Sequence, residues 1–184
     1  MPGEVGERFR LSERLVDLKN ERFDLAIRIA DLKSADLIAA KLARNHRVVC
    51  GSPAYFKRAG KPRTLADLPL HNCLVTSTED GVADTWNFQD RSKPVAVKVA
   101  GNLQCNDGEV LTRWAIAGEG LAWRSAWEVS EEIKRGRLAS VLDEYSVPGN
   151  NIYAVYPERH LLPAKVKLFI EFLRKTFGDP PYWE

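Results

Sequence analysis

Two apolar rhythms alternate along this chain, one with a period of two and one with a spacing of three to four. "ERFRL" (7–11) alternates charged and apolar positions and predicts a short strand. Ser12 is placed to cap a helix over 13–20, with Leu15, Val16 and Leu18 on its buried side. "FDLAIRI" (23–29) predicts a buried strand, and "DLIAAKLARNHRVVCGS" (36–52) predicts two strands joined by a turn at Asn45. "SPAYFKRAG" (52–60) predicts a short helix with Ser52 as its cap, Pro53 at its first position and Gly60 at its end. "TLADL" (64–68) predicts one further helical turn capped by Thr64. Beyond it "NCLVT" (72–76) is a strand. "DTWNFQD" (84–90) and "PVAVKV" (94–99) make an antiparallel hairpin, with Trp86 and Phe88 on one face of the first strand. A helix near 126–135 ends at Gly136, and strands follow near 138–141 and 151–157. The strongest amphipathic pattern comes last: Val166, Phe169, Ile170, Leu173 and Phe177 place one apolar face on a helix over 163–177. Strands alternate with helices, which predicts an α/β class, and the central hairpin predicts a second lobe.

The bulk numbers narrow the class. The chain has 184 residues, 45% hydrophobic and 28% charged, enough to bury a core in one large domain or two small lobes. No apolar run approaches the roughly 18 residues of a membrane span, and "MPGEVGERFR" has no secretory core, which predicts a cytoplasmic protein. The formal charge is +2 and the basic residues are scattered, so no stripe marks these residues as a nucleic-acid binder on their own. Cys50, Cys73 and Cys105 are widely spaced and odd in number, which argues against a disulfide framework or a zinc site and predicts small core residues. The three histidines are isolated from one another. There is no H-E-x-x-H, G-x-S-x-G or G-x-x-x-x-G-K, so the residues make no case for an enzyme, a metal or a cofactor.

"CNDGEVLTRWAIAGEGLAWRS" (105–125) carries the most local chemistry. Asn106 is expected to cap a helix over 107–117, with Glu109 reaching back three residues later, as in a capping box. Val110, Leu111, Trp114 and Ala117 form the expected buried stripe. Gly118 suits the left-handed conformation that ends a helix, and Gly120 admits close backbone approach before the next strand. Free N–H groups at such a helix start can face a ligand, although Asp107 and Glu109 already place negative charge there.

The ordered series "FDLAIRI", "SPAY", "DL" followed by "H" and "CL", "NDGE", "AG" followed by "GLAWRS", and "IYAVYP" resembles the effector-binding (co-inducer) domain of LysR-type transcriptional regulators. The likeness covers about residues 7 to 184. It implies a two-lobed α/β fold of the periplasmic-binding-protein kind with mixed sheets and a small-molecule effector in the cleft between lobes. It also implies a homodimer, and promoter DNA bound through an N-terminal helix-turn-helix. These residues contain no helix-turn-helix, and the first strand and helix of lobe one are also missing from the pattern. The resemblance therefore predicts an N-terminally truncated domain with an exposed sheet edge, in which dimerisation and the pocket are both put in question. Lobe one is expected over 1–72 with 161–184, and lobe two over 73–160.

The same resemblance nominates the effector-binding residues. Arg28 ends a lobe-one strand and could fork onto a carboxylate, which makes a carboxylic acid the expected effector class. Ser52 and Pro53 head the "SPAY" helix. Asn106, Asp107, Gly118, Gly120 and Arg124 line the lobe-two side. A free-standing small-molecule binding protein, a non-functional remnant and an enzyme on a similar scaffold are the competing readings.

Overall fold

The computed structural model describes residues 8–11, 16–18, 20–29, 37–78, 81–157 and 162–184. Two sheets organise these residues. In the first, β1 (Ala26–Ile29) and β2 (Leu37–Ala43) flank β11 (Ile152–Pro157), and all pairings are antiparallel. The C-terminal helix α4 (Ala164–Phe177) packs on β2, burying Val166 and Ile170. In the second sheet the order is β10 (Ala139–Val141), β3 (Arg47–Gly51), β9 (Leu121–Ser125), β4 (Cys73–Thr78) and β5 (Gly81–Ala83). The short β8 (Gln104–Cys105) also pairs with β4. β4 runs parallel to β8 and β9 while the other pairs are antiparallel, so this sheet is mixed as expected.

Helices α2 (Gly108–Ala117) and α3 (Ala126–Lys134) cover one face of the second sheet over Val48, Cys50 and Ala122. Helix α1 (Pro53–Ala59), a 3-10 turn at Leu65–Leu70 and the hairpin β6 (Thr85–Asp90) with β7 (Lys93–Lys98) cover the other over Val49, Cys73 and Leu121. Trp86 and Phe88 point inward from the hairpin and pack on Trp123 at 6.1 and 6.0 Å between ring centres. Arg91 and Ser92 turn the hairpin with φ of 46° and 67°, the two-residue geometry whose twist matches paired strands.

Local caps are as the residues predict at α1, where the Ser52 hydroxyl accepts from Tyr55 N–H at 3.2 Å and Pro53 takes the first turn. At α2 the cap is displaced by one residue. Asp107, not Asn106, is the N-cap, and its carboxylate accepts from Glu109 and Val110 N–H at 2.8 and 3.1 Å. Glu109 does not reach back; it pairs with Arg113 one turn on. The buried face shifts with it, to Leu111, Thr112 and Ala115, leaving Ala117 exposed. Gly118 ends α2 in the left-handed region at φ 87°. A Cβ on Gly120 would overlap the Asn72 carbonyl oxygen, which is the close approach its sequence position implied.

One expectation changes. Residues 8–11 form no strand: Phe9 and Leu11 are 71% and 99% exposed, and no strand pairs with them among the described residues. The helix over 13–20 falls largely outside the described residues; Glu21 N–H reaches the Asp17 carbonyl in a single turn. The strands on either side of Asn45 form as expected, β2 in the first sheet and β3 in the second.

The chain thus passes between sheets at residues 44–46 and again at 146–151. These passages differ from the boundaries expected at 72/73 and 160/161, because β3 pairs with β9 and β11 pairs with β1 and β2. Among the described residues neither β1 nor β2 has a second neighbour, so both are sheet edges. No helix among them is long and apolar enough to cross a membrane.

Candidate functional site

Asn45 ties the two passages together. It is 3% exposed, its amide donates to the Asn150 carbonyl at 2.9 Å, and its own N–H donates to Asn151 Oδ1 at 3.3 Å. Its side-chain oxygen accepts from Trp127 N–H at 3.4 Å, at the start of α3. Next to it Ala126 N–H donates to the His46 carbonyl, and Arg47 lies opposite Ser125 in the β3–β9 ladder. The C-terminal end of β9 therefore abuts the crossing. On the first sheet the crossing adjoins Ile152 and its ladder partner Ile29, so the end of β1 faces the same junction.

The start of α2 reaches this junction too. Arg124 lies on the helix-bearing face of β9, and a Cβ on Gly108 would fall on its guanidinium. Glycine at the first turn of α2 leaves room for the arginine to pass beneath it in this position. The Arg124 side chain is 11% exposed and pairs with Glu128 at 2.8 Å, yet its Nε–H is enclosed with no acceptor. The indole N–H of Trp127 is likewise buried without an acceptor. Such donors are costly to leave unmet, about 1–3 kcal/mol each, and both flank the crossing. Arg47 covers the opposite face of β9 with its guanidinium 4.4 Å from the Trp123 ring centre. Beneath Arg124 on the same face, the Cys50 thiol is pushed up to about 12 by burial, partly offset by the arginine's charge. Cys73 is also pushed up to about 12 by burial, so both thiols are inert core groups. Cys105 is not fully buried, unlike the other two.

These positions divide the sequence-nominated residues into two groups. Arg124, Asn106 and Asp107 lie at the crossing end of the second sheet, with Arg28 at the crossing end of the first. Asn106 is exposed; Asp107 is occupied as the helix cap. Arg28 Nη2 donates to the Val16 carbonyl at 2.8 Å, so part of its fork already holds the N-terminal segment to β1. Ser52, Pro53, Gly118 and Gly120 lie at the far end of α2 and β9. A Cβ on Gly118 would touch Ser52 Oγ at 3.3 Å, Arg58 donates to the Gly118 carbonyl at 2.6 Å, and Leu121 N–H donates to the Asn72 carbonyl. Ten residues of α2 separate the two ends, about 15 Å at 1.5 Å per residue. Ser52 and Gly118 therefore join α1 to α2, Gly120 packs on Asn72, and these residues lie at the end of α2 and β9 away from Arg124. The sequence reading missed Asn45 and Trp127. The signal for Asn45 was an amide between two strands that need different sheets, and that need is a long-range one.

Among the described residues no group of three His, Cys, Asp or Glu side chains is placed to hold a metal ion. What the junction offers is hydrogen-bond donors around one buried guanidinium, an arrangement suited to holding an oxygen-rich ligand.

Comparison with known proteins gives a consistent picture. The family described as "LysR substrate binding domain" matches residues 8–178. The HTH-type transcriptional regulator DmlR of Escherichia coli (strain K12) is 44% identical over 172 residues, covering 94% of this chain and 56% of that protein. The HTH-type transcriptional activator TtdR of the same strain is 36% identical over 181 residues, covering 96% and 58%. The chain thus spans just over half the length of these relatives. The regulatory domain of CrgA, a LysR-type transcriptional regulator from Neisseria meningitidis, superposes with a TM-score of 0.76 at 27% identity, covering 91% of this chain and 81% of that one.

Proposed function

The chain belongs to the LysR substrate binding domain family, and from that premise we propose that it senses a small carboxylate at the junction of its two sheets. The observation that carries the reading is Arg124: a buried guanidinium with a spare N–H, beneath the first turn of α2 and beside the crossing. A carboxylate oxygen would meet that N–H and the Trp127 indole N–H, with Glu128 giving up part of its share of the arginine. Arg28 faces the same junction from the first sheet and would close on the ligand by releasing Val16. Closure would be a hinge motion about residues 44–46 and 146–151, which Asn45 links.

In this reading the 184 residues are the sensing part of a transcriptional regulator and carry out no catalysis. Promoter DNA would be bound through a helix-turn-helix outside them, and a homodimer would transmit the change. The relatives are transcriptional regulators by name, which supports the assignment.

Titration calorimetry against a panel of two- to six-carbon mono- and dicarboxylates tests the site. A saturable binder is expected, and Arg124→Gln should weaken it at least tenfold while Arg28→Gln weakens it less. Equal affinity of wild type and Arg124→Gln would remove the arginine from the site.

A further inference from the structure

A cavity lies against α3. Its volume is about 210 Å³, below the roughly 300–1,000 Å³ of sites for drug-sized ligands, so it suits a small metabolite. Its walls include Ser130, Ile133 and Lys134 of α3, His46 of the crossing, Asp143 after β10, and Trp183 of the C-terminal tail. Ala126, Ser130, Ile133 and Lys134 share one helical face, whereas Glu128, the partner of Arg124, points from the opposite one. The cavity therefore adjoins the Arg124 junction through His46, Ala126 and Val48, the ladder partner of Arg124, but opens on the face of α3 away from Glu128.

Its chemistry is bipolar. On α3, the Ser130 hydroxyl is buried and finds no partner. One turn on, the Lys134 ammonium spends one donor on the Tyr182 carbonyl at 2.6 Å and lies 4.0 Å from Glu131. The His46 ring makes no hydrogen bond among the described residues. Asp143 stands on a different wall and accepts one hydrogen bond, from Ser140 Oγ at 2.8 Å, leaving acceptor capacity free. Ile133 and Trp183 supply the apolar remainder. A lone carboxylate would meet Asp143 as a like charge, and a lone ammonium would meet Lys134. A ligand with both charges satisfies both.

We infer that this cavity is a site for a free α-amino acid. Its carboxylate meets Lys134 and the Ser130 hydroxyl, its ammonium meets Asp143, and its side chain lies against Ile133 and Trp183. The tail that carries Trp183 is held to the crossing: Trp183 Nε1 donates to the Arg44 carbonyl at 3.1 Å, and Arg44 pairs with Glu184 at 3.1 Å. A bound amino acid would thus tie α3 of the second sheet to the tail that follows α4, across the crossing, and bias the same hinge from behind.

Thermal unfolding of the 184-residue chain with each of the twenty standard L-amino acids tests this, with ethylammonium and acetate as single-charge controls, acetate being measured on Arg124→Gln so that the junction does not answer for it. At least one amino acid is expected to raise Tm in a saturable way, with neither control binding within tenfold of it. Lys134→Gln and Asp143→Asn should each weaken that binding tenfold or more, and Arg124→Gln should change it far less. In wild-type protein, the Trp183 indole N–H and the Lys134 amide should shift in ¹H–¹⁵N spectra on addition of the same amino acid; this holds even if a variant fails to fold. No binder in the panel overturns the assignment. So does a binder that acetate matches, one that Arg124→Gln abolishes, or one that leaves the Trp183 signal unmoved. The outcome at Arg124 separates this site from the carboxylate junction, so either can fail alone.

Discussion

The two sheets are made of similar strands but are protected differently. The second is enclosed on both faces: Cys50, Cys73, Leu121 and Ala122 of its strands are fully buried, as are Leu68 and Val129 of the elements that cover it. The first has three strands and the single helix α4 on the described residues, with Ile27 44%, Ile38 40%, Leu168 64% and Phe172 60% exposed. Fully buried apolar side chains each contribute about 1.5–3 kcal/mol relative to exposed ones. The second sheet is therefore the more completely enclosed; in the first, Ala154 and Val155 of β11 are fully buried while its edge strands are open among the described residues. A hinge between a stiff half and a looser one places the response to ligand in the looser one.

Deleting bulk at the centre of the second sheet should have the largest effect. Leu121→Ala is expected to destabilise by about 2–5 kcal/mol through lost burial and a cavity, read by urea unfolding. Gly120→Ala should cost a comparable amount, because its Cβ would overlap the Asn72 carbonyl and force β9 off its seat. If either costs less than about 1 kcal/mol, the ordinary range for point changes, the second sheet is not the stiff half.

The cap of α2 shows how far local sequence chemistry reaches. Asp107→Ala should cost about 1 kcal/mol and Asn106→Ala almost nothing; equal losses would return the cap to Asn106. Both residues are good caps, and sequence alone could not choose between them. Asp107 is followed by Gly108, which packs on the Arg124 guanidinium sixteen positions away, a contact that no local pattern encodes. The same limit explains the lobe boundaries. Strands 37–43, 47–51 and 152–157 were legible from their apolar runs, as were α1, α3, α4 and the hairpin. Which sheet each strand joins depends on pairings such as Cys50 with Ala122 and Val155 with Ala26, which no local pattern encodes. Of the candidate site, Arg124, Asn106, Asp107 and Arg28 reached the junction because they sit at element ends facing the crossing. Ser52, Pro53, Gly118 and Gly120, nominated by resemblance as effector-binding residues, lie at the other end of α2 and β9, where Ser52 meets Gly118 and Gly120 meets Asn72.

A pH dependence should also belong to the second sheet. Tyr55 Oη accepts from Asn72 N–H at 3.1 Å, so its own proton is free to go to His71 Nδ1 at 3.0 Å, and that requires a neutral imidazole. Burial holds the His71 pKa below the ordinary histidine value, with Asp67 opposing weakly. Below about pH 6.5 the unfolded chain takes up a proton that the folded one resists. Stability should therefore fall as pH drops from about 6.5 towards the lower folded value, and stay flat above about 7. Urea midpoints for wild type and His71→Asn at pH 7.5 and 5.5 check this: the substitution should flatten that slope. An unchanged slope would place the titrating group elsewhere.

The smallest expected effect tests the open half directly. Within α4, Val166 and Ile170 are 4% and 5% exposed, while Phe172 stands 60% exposed with the Phe169 ring stacked near it, at 6.4 Å. Phe172→Ala gives up part of one aromatic contact and little burial, so it should change stability by no more than about 0.5 kcal/mol. Ile170→Ala, two residues earlier, should cost about 2 kcal/mol or more because it empties the face packed on the first sheet. Urea unfolding of the pair reads the difference within a single helix, where propensity is nearly matched. If Phe172→Ala costs as much as Ile170→Ala, then Phe172 is covered in solution by something that packs on α4. The contrast between a closed second sheet and an open first one would then disappear.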